Sequence, residues 1–137
     1  MTARIAPVPT PSTGNVLPLL NEIGHALDRL LDSGAPTVID LNRLPMAPQD
    51  SAALDAALGT GEVSAVITAQ GRSEVRETGF PGVWRVTHFS EAGQPVARFV
   101  EVTALPDILA ADPGDMAAGR TRLTRHLDLL RRTEVSR

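Results

Sequence analysis

Cysteine, lysine and tyrosine are absent from this 137-residue chain, and all 13 of its basic residues are arginine. Without cysteine there is no disulfide, no thiol nucleophile and no thiolate ligand, which excludes zinc ribbons and cysteine-held Fe–S clusters. Without lysine, Schiff-base chemistry is excluded, and so is the G-x-x-x-x-G-K-[ST] loop that cradles nucleotide phosphates. Long apolar runs are also missing. No stretch approaches the ~20 residues that span a bilayer, and residues 1–15 hold no apolar segment of signal-peptide length. The expectation is a cytoplasmic protein with no direct membrane insertion. A formal net charge of −3 supplies no basic footprint for displacing counterions from phosphates, so a general nucleic-acid partner is not expected.

What is present fits a globular protein. A hydrophobic content of 42% is enough for one core, and the length suits one domain. Residues 1–14, with Pro7, Pro9 and Pro11 among small polar residues, read as a disordered tail, leaving 15–137 as a single domain. From Asn15, a credible N-cap, Val16, Leu20, Ile23, Leu27 and Leu30 recur at helical spacing, with Leu19 and Leu31 widening the stripe. Gly34 is a credible stop.

Thr37 to Leu41 is a short β-branched run and reads as a buried strand. A short helix from Asp50 to Leu58 and a strand from Glu62 to Thr68 follow, and together the three suggest a right-handed parallel crossover. Arg72–Thr78, Val83–Phe89 and Val96–Thr103 are extended stretches broken by Pro81-Gly82 and by Glu91 to Gln94, which predicts antiparallel neighbours. Strand alternation puts Val96, Val100 and Val102 on one side with Arg98, and Trp84 and Val86 on one side with His88. A helical turn at Asp107–Ala110 leads past Pro113 to a last helix with the stripe Met116, Leu123, Leu127 and Leu130. The fold class is α+β: a mixed, mostly antiparallel sheet flanked by two longer helices.

Candidate chemistry is sparse. The histidines, His25, His88 and His126, fall on three separate elements without H-x-x-x-H or H-E-x-x-H spacing, so neither a metal nor another cofactor is expected. His25 and His126 read as solvated helix residues. His88 shares a strand face with Trp84, where it is either a hydrogen-bonded packing residue or a proton-transfer group. No G-x-S-x-G elbow marks a nucleophile among Ser64, Ser73 and Ser90. Glu74 and Glu77 lie on opposite faces of one strand and cannot form a facing carboxylate pair. Gly114 and Gly119 sit near a helix start without the G-x-G-x-x-G pattern of a phosphate loop. Arg120, Arg122, Arg125, Arg131 and Arg132 load the last helix, as a solvated face or a site for an acidic patch. Phe80-Pro81-Gly82-Val83-Trp84 gathers two of the four aromatic residues around a turn, a pattern shared by core plugs and partner-binding edges.

The run Ser73-Glu74-Val75-Arg76-Glu77-Thr78-Gly79-Phe80-Pro81-Gly82-Val83-Trp84-Arg85-Val86 resembles the signature segment of the HupH/HyaF hydrogenase expression proteins, and Phe99–Thr103 with Leu105–Leu109 continues the resemblance. Leu17–Ile23 and Pro36–Leu41 extend it over most of residues 15–132. The resemblance implies a non-catalytic accessory role, as assembly chaperone or scaffold, in maturation of the [NiFe] uptake hydrogenase. Its partners would be a subunit precursor such as the Fe–S small subunit and other accessory proteins. It supplies no active-site residue.

Candidate partner-binding residues are therefore Arg76, Glu77, Phe80, Trp84 and His88. Two other readings stand beside this one. In the first, the chain is a small enzyme with His88 as acid or base and Glu77 or Glu101 as its partner. In the second, it is a regulatory module that self-associates into a homo-oligomer through sheet edges or the arginine-bearing helix.

Overall fold

In the computed structural model, residues 14, 16–69 and 71–136 are described. The proposed tail and the Asn15 cap lie outside these residues, apart from Gly14. The chain divides into two compact units, one ending at Ala104 and one beginning at Leu105.

Leucine spacing in the first unit produces α1 (Val16–Ser33), which buries Val16, Leu19, Ile23 and Ala26 and half-buries Leu20, Leu27 and Leu30. Leu19 is thus central to the stripe, while Leu31 points to solvent at 82% exposure. Gly34 ends the helix with φ of 74°, and its N–H donates to the Leu30 carbonyl at 2.9 Å. A residue with a Cβ would be strained there.

Five strands follow around α2 (Pro48–Leu58): β1 (Thr37–Asp40), β2 (Ser64–Thr68), β3 (Arg72–Glu77), β4 (Val83–Phe89) and β5 (Pro95–Val102). They pair antiparallel throughout in the order β1-β5-β4-β3-β2. The α+β class holds, but the parallel crossover does not form. β1 and β2 occupy opposite edges, because β1 pairs with the last strand rather than with its neighbour in sequence. α2 also begins two residues earlier than expected. Pro48 takes the first helical position, where its missing N–H costs nothing, and the fully buried Asp50 carboxylate accepts from the Ala47 N–H at 2.9 Å.

Register assigns the two faces. Ile39, Val100, Val102 and Val83 lie on one face and form a core with Leu19, Ile23 and Ala26 of α1 and Leu54 and Leu58 of α2. Each fully buried aliphatic side chain contributes about 1.5–3 kcal/mol, which identifies this cluster as the main support of the unit. Val75, Trp84 and Val86 are buried on the opposite face. The β4–β5 register slips between His88 and Phe89, so that Phe89 faces Pro95. Val96 is the extra residue and is 56% exposed, which removes it from the series with Val100 and Val102.

Gly61 closes the approach to β3. Its N–H donates to the Glu77 carbonyl at 2.8 Å, and a Cβ at this position would come within 2.4 Å of the Thr78 carbonyl oxygen. Gly61→Ala is expected to lower stability by about 1–3 kcal/mol through overpacking against backbone that cannot swing away. Gly24→Ala meets nothing within 4 Å and should raise stability by up to about 1 kcal/mol through helix propensity. Paired thermal denaturation curves measure both.

The second unit holds a 3-10 turn (Asp107–Leu109) and α3 (Pro113–Val135). Asp112 caps α3 by accepting from Gly114 N–H at 2.9 Å and Asp115 N–H at 3.3 Å. No residue of this helix is buried, and Met116, Leu123, Leu127 and Leu130 are exposed.

Candidate functional site

Phe80 stands at the tip of the β3–β4 connection, half-exposed at 50%. The turn beneath it follows from local chemistry. Pro81 presets the first central position, and Gly82, at φ of 90°, fills the second, which only glycine adopts without strain. The Val83 N–H then donates to the Phe80 carbonyl at 3.0 Å. Thr78, 2% exposed, ties the loop inward: its hydroxyl donates to the Val83 carbonyl at 2.9 Å and accepts from the Phe80 N–H at 3.1 Å.

Trp84 is 4% exposed, and its indole N–H donates to the Thr103 carbonyl at 3.0 Å. It is a buried packing residue that anchors the hairpin rather than a surface contact. The Glu77 carboxylate, cross-strand from Trp84, accepts from the Glu62 N–H at 3.2 Å. Arg76 is on the other face, 3.5 Å from the Glu74 carboxylate that Arg72 also approaches at 3.6 Å. His88 is half-buried, 2.7 Å from the Ser73 hydroxyl and edge-on to the Phe99 ring at 5.8 Å. The fold therefore clusters Phe80, Trp84 and Glu77 near one end of the hairpin and leaves Arg76 across the sheet and His88 toward the other end.

The same register separates His88 from both carboxylates considered as its partners. Glu77 and Glu101 flank Trp84, whereas His88 lies between Ser73 and Ala97. Four residues of strand set these levels apart by about 13 Å, too far for a hydrogen-bonded acid–base pair. Among the described residues no cluster of histidine and carboxylate side chains could hold a metal ion.

A second polar constellation escaped the sequence reading. Beyond the apolar part of the α1/α2 face, the sheet carries Arg85, Thr87, Glu74, Arg76 and Arg98 at successive register positions. Asp55, on α2 next to the fully buried Leu54, forms an ion pair with Arg85. Only 17% of the Arg85 side chain is exposed, and its Nε is buried with no hydrogen-bond partner. Burial, then the nearby positive Arg98, lowers the Arg85 pKa from the usual arginine range. One cavity of about 280 Å³ opens between Asp55, Glu74, Arg76 and Arg85, and another of about 630 Å³ between α2, Arg85 and Arg98. The available signal was alternation: Arg85 and Arg98 share a face with the core valines Val83 and Val100, an unusual place for guanidinium groups.

The HupH hydrogenase expression protein, C-terminal conserved region, matches residues 13–130. The chain belongs to this family. It is 36% identical over 100 residues to the hydrogenase expression/formation protein HoxQ of Cupriavidus necator, an alignment covering 71% of this chain and 36% of that protein. It is 32% identical over 124 residues to the hydrogenase expression/formation protein HupH of Rhizobium leguminosarum bv. viciae, covering 90% of this chain and 44% of that one. The chain thus spans less than half the length of these HupH-family relatives. Among solved structures, hydrogenase expression protein HupH from Thiobacillus denitrificans superposes with a TM-score of 0.81 at 42% identity, covering 84% of this chain and 96% of that one. The HupH-type fold is shared, and the hairpin carrying Phe80 lies within the family-defining segment.

Proposed function

We propose that this chain is a non-catalytic, cytoplasmic binding domain that engages a hydrogenase subunit precursor, such as the Fe–S small subunit, as an accessory factor in hydrogenase maturation. Membership of the hydrogenase expression family supports the system in which it works. The observation that carries the binding role is Phe80, an aromatic ring half in solvent on a turn held by Thr78 and anchored by buried Trp84. A pre-organised aromatic loses little entropy on docking, and such residues dominate interface energetics. Arg76, whose side chain is 60% exposed, and Glu77 sit on the strand leading to the turn and supply rim charge that steers orientation more than affinity. Trp84 acts from beneath by holding the loop. The half-buried His88 lies outside this contact region.

The test is co-purification of the tagged chain with unprocessed hydrogenase small and large subunits, each expressed separately, followed by titration of any complex. Selective capture of one precursor over its mature form is the expected result, with Phe80→Ala weakening it about ten-fold or more and leaving the melting temperature in place. Capture of neither precursor, or full-strength capture by the Phe80→Ala, Arg76→Ala double variant, overturns the assignment.

A further inference from the structure

The groove between α2 and the β4–β5 end of the sheet is built unlike an ordinary solvated charge cluster. Arg72 and Arg76 share Glu74, Arg43 pairs with Asp40, and Arg29 donates to the Thr37 hydroxyl. Among the described arginines of the first unit, Arg98 alone has a side chain with no hydrogen bond or ion pair. Arg85 beside it has one carboxylate, Asp55, and a buried Nε with nothing to donate to. Two guanidinium groups therefore face one groove of about 630 Å³ that contains a single acidic side chain. Its other walls are mixed: Ser51 and Thr87 are polar, while Met46 and Pro48 at the start of α2, and Phe89 and Pro95 brought opposite each other by the register slip, are apolar.

A desolvated guanidinium with an orphaned donor and an unneutralised neighbour is a costly arrangement in the free protein. An anion in the groove would accept from the unpaired N–H groups of Arg98 and cancel the repulsion between the two arginines. Planar forks match a carboxylate, and the apolar walls match the side chains flanking it in a peptide. We propose that this groove binds an acidic residue of an extended partner peptide, its carboxylate held between Arg85 and Arg98 and its apolar neighbours against Met46, Pro48, Phe89 and Pro95. The choice of a peptide rests on reading the chain as a protein-binding domain, but the site is remote from the Phe80 turn and is tested without any hydrogenase subunit. The Arg85 pKa, lowered first by burial and then by the positive Arg98, agrees with this arrangement.

The probe is the blocked pentapeptide Ala-Leu-Glu-Leu-Ala, acetylated and amidated, titrated into the whole 137-residue chain and followed by NMR of the arginine Nε–H groups and backbone amides. Its Gln counterpart and sodium acetate are titrated alongside. Saturable shifts at Arg85 and Arg98 with the Glu peptide, at least about ten-fold weaker binding of both the Gln peptide and acetate, and a similar loss in Arg98→Gln are expected. Arg98→Gln should keep or raise the melting temperature, because it removes repulsion and no bond, so lost binding in that variant is not unfolding. Equal affinity for the Glu and Gln peptides, or an unaffected Arg98→Gln variant, overturns the proposal. Acetate matching the peptide overturns the peptide assignment and leaves a plain anion site. A negative peptide titration beside a positive precursor capture rejects the groove alone, and the reverse rejects only the Phe80 surface.

Discussion

Leu54→Ala is expected to lower the free energy of unfolding by about 2–5 kcal/mol, read as a shift in the urea midpoint at unchanged slope. Leu54 is fully buried and joins α2 to Ile39, Val100 and the leucines of α1. Truncation removes the transfer energy of its side chain and leaves a cavity between a helix and a sheet, two elements that cannot both relax inward. In a domain whose whole stability lies near 5–15 kcal/mol, that is a large fraction. A local effect should accompany it. Asp55 follows Leu54 on the same helix and is the partner of Arg85, so loosening α2 should weaken the ion pair that walls off both cavities. A loss below about 1 kcal/mol would mean that α2 contributes little to the core.

Thr78→Val is the second large effect, a loss of about 1–3 kcal/mol despite nearly unchanged volume. Packing is not the cause, because valine matches threonine in shape. The Phe80 N–H loses its acceptor at 3.1 Å, and the Val83 carbonyl loses the hydroxyl donor at 2.9 Å. Thr78→Ser keeps both bonds and should recover most of the loss. Chemical denaturation of the two variants, monitored by the single tryptophan, separates a hydrogen-bond role from a packing role. Equal destabilisation by serine and valine would assign the position to its methyl group instead.

These two sites also mark what the sequence made legible and what it did not. The periodicity from Val16 to Leu30 located α1, and alternation located β3, β4 and β5 to within about two residues, because both signals are local consequences of burying one face. Sheet order was not local. The β1–α2–β2 succession suggested a parallel crossover, yet β1 docks on β5, since Ile39 buries itself beside Val100 only in that place. The Phe80–Trp84 turn stood out from its proline, glycine and aromatics, while the division of labour within it, Phe80 outward and Trp84 inward, depended on the Thr103 carbonyl reaching the indole N–H. The Arg85–Arg98 groove was hidden for a related reason. Its arginines lie on separate strands and its carboxylate on a helix, and no spacing rule connects three elements that meet only through register.

Sheet order also sets the sequence of folding events. β2, β3, β4 and β5 pair with their neighbours across short connections, and hairpins of that kind close in microseconds. Thr37 finds Val102 only after everything between them has been made, a long closure whose entropic cost precedes its reward. During synthesis on the ribosome, α1 and β1 emerge before the strand that completes them. The leucine stripe of α1 stays without its sheet until β5 leaves the exit tunnel, and through that interval the nascent chain depends on the solubility of its own helix and on whatever chaperones attend it.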